Sequence, residues 1–466
     1  MVSDEILSSL RVDFHGRSSS PRGGAHFGDY SNVELAKLPV DWTKKRNRKL
    51  IILTFCVSNF FVGTFYALLA PFFAAEAKKK GASATVAGVI LGIYEVVIIL
   101  LSPIYGNYLT TIGAKFTFVC GMMVCGCSGM LFGFLDGCPS GITYIAMCIL
   151  VRSVEASGSA AFMTSSFAIL ANEFPENVAS VFGTLELFSG LGMMAGPPLG
   201  GLLYQIGGFR LPFISSGAAL MAVGCLAWML LPPQSEDARP VGKSFWSFAR
   251  IPTVLLLGLL LTIFSFSIGF SDIALAVHVQ TQYHLSPVLL GVVFLAATGV
   301  YGFSAPAWGY VADKRPHWGP ALVAVGTCFS SVGLLLMGPA PFLHIPIHPL
   351  WLLNISQALM GLGIGSCVVC FQEFFINATK HGYADTLDTY GMVSGVFNFF
   401  FSLGLFLGPI VGGYLNDSLD FEWAAAIIGL AGVSSLALWV MYLWARRCRG
   451  NRTGEKQPLL ANSSAE

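Results

Sequence analysis

The apolar run from Val178 to Ile206 restricts the possible folds of the chain more than any other segment. It is long enough to cross a bilayer as a helix. Glycines four residues apart leave one face of that helix without Cβ atoms, so that a second helix can approach closely. Two adjacent prolines remove backbone donors and are expected to bend the helix. The residues of this glycine–proline motif are Gly192, Gly196, Pro197, Pro198, Gly200 and Gly201.

Part of the glycine–proline motif recurs in the second half of the chain. Gly196 to Gly201 is repeated as Gly408 to Gly413, displaced by 212 positions. Ser102 to Gly106 returns as Ala305 to Gly309, displaced by 203 positions. Two motifs copied at nearly the same interval predict two similar halves. Membrane transporters are commonly built from such repeats, with the substrate held between them near the middle of the bilayer.

The composition indicates a membrane protein with several spans. Hydrophobic residues make up 55% of the chain and charged residues 11%, whereas charged residues are about 25% of an ordinary soluble domain. The apolar runs are continuous and do not alternate every second residue, which predicts transmembrane helices rather than a barrel. Most cysteines fall within these runs, and we expect only Cys138 in a non-cytosolic loop, so no disulfide framework is indicated.

Twelve helical spans are predicted, in two halves of six. Their approximate ranges, for spans 1 to 12 in order, are 50–73, 84–109, 116–136, 141–166, 178–206, 211–231, 251–280, 287–310, 320–338, 349–375, 390–415 and 423–445. Residues 50–231 form the first half, and a cytosolic linker, 232–250, joins it to the second half, 251–445. The polar tails 1–49 and 446–466 are expected to be cytosolic, and the first to be disordered.

The placement of lysine and arginine predicts the orientation, because cytoplasmic loops carry an excess of both. With the N-terminus in the cytosol, seventeen of these residues fall on the cytosolic side and four on the other side. Three of the four, Lys78, Lys79 and Lys80, are adjacent in the first outside loop and go against the rule. The totals still predict that both termini are cytosolic.

Five ionisable residues fall inside the predicted spans, where a charge costs roughly 2.5–3.5 kcal/mol on insertion scales. Residues kept at such a cost are candidates for binding a substrate or a proton. They are Glu95 in span 2, Arg152 and Glu155 in span 4, Glu186 in span 5 and Asp272 in span 7.

Structural explanations remain open for most of these five residues. Arg152 and Glu155 lie three positions apart, share a helix face and can form a purely structural pair. Alternatively, Arg152 can pair across helices with Glu95 or Glu186. Glu186 is also near enough to the cytosolic end of its span to face a vestibule there. Asp272 can cap a break in its helix at a nearby glycine.

Three other assignments follow from the neighbouring residues. Glu95 has the fewest structural explanations, because Val96 to Ile99 after it are all apolar. Glu373 is expected to be an interfacial charge at the cytosolic end of span 10. His278 in span 7 is expected to be a packed histidine rather than a proton carrier.

Four motifs together resemble the major facilitator superfamily. Gly106–Lys115 resembles its loop between spans 2 and 3, although Thr110 stands where an acid is usual. Arg152–Ala160 resembles its buried-arginine motif, and Gly192–Gly201 resembles the span-5 motif of proton-coupled antiporters. The copy of the loop between spans 8 and 9 keeps the acid and contains Asp313, Lys314 and Arg315. The resemblance implies an all-α membrane protein with the major facilitator fold, twelve transmembrane helices in two six-helix halves.

Within the superfamily the chain is most similar to the vesicular amine transporters, and among them to the one that carries polyamines. The match includes Arg152–Ala161, Phe182–Thr184 and Tyr390–Val393. The monoamine and acetylcholine members have acids in spans 1, 10 and 11 that are missing here. Span 1 contains Asn59 and no acid, and Asn398 aligns with the acid of span 11. These departures argue against a monoamine substrate.

The internal repeat places an aromatic ring opposite an acid. Aligning Gly63 with Gly269 puts Tyr66 of span 1 opposite Asp272 of span 7. An organic cation between them gains Coulomb attraction from the acid and about 0.5–2 kcal/mol of cation–π energy from the ring. A polyamine has several ammonium groups and needs several separated acids. The predicted substrate and proton site comprises Tyr66, Glu95, Arg152, Glu155, Glu186, Asp272 and Asn398.

The leading hypothesis is a proton-coupled antiporter that moves spermidine, spermine or related organic cations from the cytosol into acidic vesicles. Competition between a proton and a cation for one carboxylate gives exchange without further parts. A general monoamine or drug antiporter is one alternative, and a non-transporting membrane scaffold or sensor is another. The buried charges argue against a scaffold, because a scaffold has no need to maintain them.

The chain contains no Gly-x-x-x-x-Gly-Lys-Ser/Thr loop for ATP, and we expect no enzymatic activity, cofactor, metal or nucleic-acid partner.

The C-terminal tail contains a short segment that resembles an acidic dileucine sorting signal. It runs from Glu455 to Leu460 and ends in the pair Leu459 and Leu460. Clathrin adaptors can read such a signal in a flexible cytosolic tail. It predicts that the protein is sorted to secretory or endolysosomal vesicles, where an acid lumen supplies protons.

The dileucine hypothesis predicts that replacing Leu459→Ala together with Leu460→Ala moves the protein to the cell surface. Imaging of the tagged full chain checks this, with Gln457→Ala as a control in the same tail. Retention of the double variant in vesicles would show that the dileucine pair is not the sorting signal, or not the only one.

Overall fold

The computed structural model describes residues 42–68, 70–231, 245–283, 287–343 and 349–454. No strand occurs within these ranges, and nearly all of their residues are helical. The predicted sorting residues Glu455, Leu459 and Leu460 lie outside the described residues. So do most of the N-terminal tail and residues 232–244 of the predicted linker.

Each predicted span corresponds to a helix, and the span numbers are kept here. Spans 1 to 6 are Trp42–Leu68, Ala84–Ile112, Ala114–Gly133, Ile142–Glu173, Val178–Gly207 and Arg210–Leu230. Span 7 consists of Pro252–Phe270, a π-helical turn Ser271–Leu275, and Ala276–Tyr283. Spans 8 and 9 are Pro287–Lys314 and Gly319–Met337, and span 10 consists of Leu350–Ile364 and Cys367–Lys380. Spans 11 and 12 lie in one helical segment, Leu387–Gly454.

The described residues include ten stretches that are long and apolar enough to cross a membrane. One of them, Leu387–Cys448, is 62 residues long and contains Asp420 in the left-handed region at φ 67°. A helix cannot continue regularly through such a residue, so two spans meet there. With this stretch divided and the 28-residue helix Pro287–Lys314 added, the described part of the chain has the predicted twelve spans.

Several helical boundaries differ from the sequence prediction. Span 1 ends at Leu68 and is followed by a further helix, Ala70–Lys79, and span 4 continues past residue 166 to Glu173. Span 1 begins at Trp42 and not at residue 50, and the last helix continues past residue 445 to Gly454. A short helix, Phe245–Ala249, lies inside the predicted linker. Hydropathy marks the part of a helix that can enter a bilayer, whereas backbone hydrogen bonding can continue into polar sequence beyond it.

Span 5 packs against span 1 through the glycine–proline motif. A Cβ atom added to Gly192 would lie 2.1 Å from the Phe60 carbonyl oxygen, and one on Gly196 would lie 2.7 Å from that of Thr64. From the other side, a Cβ atom on Gly63 would lie 2.4 Å from the Ser189 carbonyl oxygen. The two backbones are therefore in direct contact, and no larger residue fits at these glycines.

Span 11 packs against span 7 in the same way. Added Cβ atoms on Gly404 and Gly408 would lie 2.2 Å and 2.5 Å from the carbonyl oxygens of Thr262 and Phe266. In both halves, therefore, glycines of the fifth span bring it against the first span. This shared contact is the structural counterpart of the internal repeat.

The second repeated motif joins the two halves. A Cβ atom on Gly309 of span 8 would lie 2.2 Å from the Ala179 carbonyl oxygen of span 5. The matching contact in the other direction is between Gly395 of span 11 and the Ser102 carbonyl oxygen of span 2, at 2.7 Å. Thus the second span of each half packs against the fifth span of the other half.

These contacts between the halves are concentrated at one end of the bundle. We call the end where span 1 begins and span 12 ends the termini face, and the other end the opposite face. Towards the opposite face, Cβ atoms on Gly88 and Gly92 of span 2 and on Gly299 of span 8 would meet no atom within 4 Å. The close backbone contacts between the halves described here therefore lie at the termini face.

Contacts in the loops at the opposite face account for two of the three adjacent lysines, Lys78 to Lys80, that go against the orientation rule. The Lys80 ammonium group donates to the carbonyl oxygens of Asp136 and Cys138, and Arg210 forms an ion pair with Asp136 at 2.9 Å. Lys79 pairs with Glu76 at 2.9 Å, and this hydrogen bond raises the pKa of the exposed lysine. At least Lys79 and Lys80 therefore have structural partners that the count of basic residues does not consider.

The contact at Gly196 predicts that a larger side chain is not tolerated there. Gly196→Leu should overpack against span 1, destabilise the protein by roughly 1–3 kcal/mol and slow transport, because the two helices can no longer approach. Gly201→Leu is the control, since a Cβ atom at Gly201 meets nothing within 4 Å. Melting temperature and transport of both purified variants check the prediction; equal behaviour would contradict it.

Candidate substrate and proton site

Arg152 and Glu155 form an ion pair within span 4. The Arg152 Nη1 atom lies 2.8 Å from Oε1 of Glu155, and the side chains are only 6% and 4% exposed. No ion pair joins Arg152 to Glu95 or Glu186 in the part of the chain that the structure describes. Of the alternatives left open by the sequence, the pair within the helix is the one observed.

Tyr94 of span 2 packs its ring against the Arg152 guanidinium group of this ion pair. The Arg152 Cζ atom lies 4.5 Å from the centre of the Tyr94 ring, which is within the range of a cation–π interaction. The Tyr94 hydroxyl donates to Ser159 Oγ at 2.6 Å. Sequence analysis missed Tyr94, although its position next to Glu95 in an apolar span was a usable signal.

Glu95 is buried, and its charge has less compensation than that of Glu155. Its Oε1 atom accepts a long hydrogen bond of 3.5 Å from the Tyr66 hydroxyl of span 1. Its Oε2 atom has no hydrogen-bond partner among the described residues. Arg152 and Ser402 are near enough to act on the carboxylate. One buried oxygen is therefore free to accept a proton or a hydrogen bond from a ligand.

Asp272 belongs to the π-helical turn in the middle of span 7, just after Gly269. Its side chain is exposed, and it lies near enough to Tyr66 to interact with the phenol electrostatically. The structure thus brings Tyr66 and Glu95 of the first half and Asp272 of the second half into one region. Coulomb attraction from both halves can act on a cation there.

Glu186 of span 5 contacts the second half directly. The Tyr301 hydroxyl of span 8 donates a hydrogen bond to Oε2 of Glu186, and both side chains are half-buried. Tyr301 belongs to none of the motifs found in the sequence. Its contact with Glu186 depends on the packing of two helices from different halves.

Asn398 also bridges the halves but carries no charge. Its Nδ2 atom donates to Thr164 Oγ1 of span 4 at 3.1 Å, and its Oδ1 atom has no partner among the described residues. Asn59, by contrast, donates to the Phe55 carbonyl oxygen one turn earlier in its own helix, at 2.9 Å. Of these two asparagines, only Asn398 is placed to respond when the halves move.

Asp313 closes the termini face by binding the start of span 5. Its carboxylate accepts hydrogen bonds from the backbone N–H groups of Ala179 and Ser180, at 3.1 Å and 2.7 Å, and from the Gln372 amide at 3.0 Å. The first N–H groups of a helix lack partners within the helix, and its dipole favours a negative charge there. Lys314 and Arg315 are exposed beside this contact.

The equivalent contact of the other repeat joins the end of span 2 to the start of span 11. There the acid is on span 11, whereas Asp313 is on span 8. Thr110, which occupies the position equivalent to the acid of the family motif, donates its hydroxyl to Asp388 at the start of span 11. A hydrogen bond between the halves is therefore kept although the acid of the motif is missing.

Four phenylalanines from both halves pack together near the termini face. They are Phe167, Phe182, Phe371 and Phe397, from spans 4, 5, 10 and 11, with ring centres 4.3 to 5.9 Å apart. Each is at most 3% exposed. An apolar, close-packed cluster of this kind excludes water and ions from the termini face.

Glu373 does not lie where the sequence predicted. It was expected to be an interfacial charge, but its side chain is buried at 2% exposure, next to Gly319 at the start of span 9. The prediction was wrong because the packing of span 9 covers this end of span 10. His278 is packed as predicted, with its ring stacked on Phe421 at 4.1 Å.

Comparison with known proteins identifies the family. The profile of the Major Facilitator Superfamily matches residues 55–387 and 330–461. The chain belongs to the major facilitator superfamily. The predicted major facilitator fold is therefore confirmed, and the superfamily and its similar members establish that the chain is a transporter and not an enzyme.

The chain is similar to several mammalian members of the superfamily. It is 43% identical to the human MFS-type transporter SLC18B1 over 388 residues, which are 82% of this chain and 84% of the relative. It is 42% identical to the mouse protein of the same name over 381 residues, 81% of this chain and 83% of the relative. The rat vesicular acetylcholine transporter is 24% identical over 360 residues, 74% of this chain and 63% of the relative.

A solved structure supports the same fold. The human organic anion transporter MFSD10 superposes with a TM-score of 0.65 at 15% sequence identity, covering 85% of this chain and 99% of that one. At this identity the likeness shows the fold alone. The major facilitator fold is thus shared.

The contact at Asp313 predicts that Asp313→Asn loosens the termini face. The neutral side chain no longer offers a full negative charge to the N–H groups of span 5, at a cost of about 1–2 kcal/mol. Distances between spin labels at the exposed positions Glu176 and His317 should lengthen in a larger fraction of molecules. Asp417→Asn, which removes an exposed acid near the opposite face, is the control and should change nothing; unchanged distances in Asp313→Asn would contradict the prediction.

Proposed function

We propose that this transporter is a proton-coupled antiporter that moves polyamines, such as spermidine and spermine, from the cytosol into acidic vesicles. The observation that carries the proposal is the placement of Glu95 and Asp272, from different halves, near the same tyrosine. A substrate held by both acids is bound by both halves, which is what alternating access between two halves requires.

The charge balance of the described core supports a cationic substrate. Arg152 is neutralised by Glu155 at 2.8 Å, so the pair adds no net charge to the site. Glu95 and Asp272, the two acids near Tyr66, have no ion-pair partner among the described residues. Two separated negative groups match a molecule with two or more separated ammonium groups better than one with a single charge.

The same acids can couple amine transport to protons. A carboxylate that binds an ammonium group no longer attracts it once the carboxylate takes up a proton. At an acid face the proton displaces the amine, and at a neutral face the amine can bind again. Exchange then follows from competition for the acids.

The names of relatives support the vesicular location, and the basic residues support the orientation in the membrane. The acetylcholine relatives are named vesicular transporters, and the basic residues predict that the termini face is cytosolic. In that orientation the close contacts between the halves lie on the cytosolic side. The tail with Glu455, Leu459 and Leu460 would then be cytosolic, where clathrin adaptors can bind it.

A transport assay separates this proposal from the alternatives. Purified protein in liposomes with an acid interior should accumulate spermidine and not serotonin. Accumulation of serotonin as well would favour a general monoamine or drug antiporter. No accumulation of either amine would favour a scaffold or sensor.

The site predicts opposite outcomes for two Glu→Gln variants. Glu95→Gln should remain stable, because an amide is cheaper to bury than an ionised carboxylate, and should lose most spermine uptake while a monoamine is less affected. Glu155→Gln should lose stability by roughly 3–5 kcal/mol, because it leaves Arg152 buried and unpaired. Melting temperature and uptake of both amines check this pair.

The control for expression is the unchanged chain prepared in parallel. A stable Glu95→Gln protein with full spermine uptake would remove Glu95 from the site. A stable Glu155→Gln protein would show that the Arg152 charge is compensated elsewhere.

A further inference from the structure

We propose that Glu186 and Tyr301 form the proton-operated latch of the transporter, separate from the amine site at Glu95, Tyr66 and Asp272. This inference builds on the proposed antiport and assigns different roles to acids that the sequence grouped together. It also gives a role to Tyr301, which the sequence motifs do not include.

The position of Glu186 in the contact between the halves is the first observation. One turn before it, a Cβ atom on Gly183 would lie 2.5 Å from the Ala305 carbonyl oxygen of span 8. One turn after it, a Cβ atom on Gly190 would lie 3.5 Å from the Gly302 Cα atom. Glu186 therefore lies between a tight backbone contact and an ordinary van der Waals contact of spans 5 and 8. These spans must separate there if the cytosolic side is to open.

The hydrogen bond itself is the second observation. A phenol that donates to an ionised carboxylate makes a charge-assisted hydrogen bond, which is roughly twice as strong as the bond to the neutral acid. Ionised Glu186 therefore holds spans 5 and 8 together more firmly than protonated Glu186. A proton taken up from the acid lumen would weaken the bond and favour opening to the cytosol.

Among the described residues, no cation acts on Glu186 to keep it ionised. Tyr301 of span 8 and Cys367 of span 10 are the titratable groups that face it. Spans 1, 4 and 6 and the helix Ala70–Lys79 also pack against span 5. Within the described residues, none of them brings a further charged or titratable side chain to Glu186. The protonation of Glu186 is therefore not tied to the Arg152–Glu155 pair.

The latch gives the order of steps that antiport needs. With Glu186 ionised and no amine bound, the lumen-open carrier is held closed at the cytosolic side and does not return empty. Uptake of a lumenal proton releases the latch and permits the return. In the neutral cytosol Glu186 loses the proton, amine binds at the other acids, and the latch forms again when the halves close.

The test compares three variants by a readout that needs no substrate. Spin labels are attached to Glu176→Cys and His317→Cys in the full chain, with its other exposed cysteines replaced by alanine, in nanodiscs. For the unchanged protein we expect the ratio of cytosol-open to cytosol-closed molecules to rise roughly tenfold from neutral to acid pH. Glu186→Gln should lose this response and remain near the acid limit.

Two further variants make the test independent of a folding defect. Tyr301→Phe keeps the carboxylate and the ring but removes the donor, and should also lose the pH response and favour the open form. Glu373→Gln removes a buried carboxyl of span 10 away from the contact of spans 5 and 8, and should keep the full response. A normal response in both Glu186→Gln and Tyr301→Phe overturns the latch, and so does loss of the response in Glu373→Gln alone.

Binding of radiolabelled spermidine at neutral pH separates this inference from the proposed function. Glu186→Gln should bind spermidine within about twofold of the unchanged protein and catalyse exchange, but should not accumulate it along a pH gradient. Loss of spermidine binding in this variant would place Glu186 in the amine site and overturn the division of roles. If the unchanged protein binds no spermidine, the polyamine proposal fails, while the pH response of the labelled protein still tests the latch.

Discussion

Direct contact between helix backbones is the constraint on which the rest of the structure depends. Span 5 touches span 1 at Gly192, where a Cβ atom would lie 2.1 Å from a carbonyl oxygen, and span 8 through Gly309 at a similar 2.2 Å. Span 11 has equivalent contacts with spans 7 and 2. The fifth span of each half therefore packs closely against its own half and also contacts the other half directly.

The charged groups in the spans differ in how they relate to the contacts between the halves. Glu95 and Glu186 lie on spans 2 and 5, which carry the contacts between the halves. Arg152 and Glu155 satisfy each other within span 4, so they stabilise one half without attracting the other. A charge that is neutralised locally can serve the fold, whereas an acid without an ion-pair partner next to the other half can respond to a proton or a cation.

The two ends of the bundle differ in a way that follows from the same contacts. At the termini face, Asp313 binds the start of span 5, Thr110 binds Asp388, and four phenylalanines exclude water. Towards the opposite face the glycines of span 2 meet no neighbour, and Asp272 is exposed. The two kinds of contact have different roles. The hydrogen bonds of Asp313 and Thr110 align the halves, and the four phenylalanines fill the space between them.

The sequence by itself determined the features that depend on local periodicity. It predicted the spans from apolar runs, the two halves from repeated motifs, and the Arg152–Glu155 pairing as one of the available options, because residues three apart share a helix face whatever the tertiary structure. Only the tertiary structure decided which residues meet across helices. Glu186 meets Tyr301 across 115 positions, Thr110 meets Asp388 across 278, and Glu373 is buried by span 9 against expectation. The rotation and crossing of each helix set these contacts, and they result from the packing of all twelve spans at once.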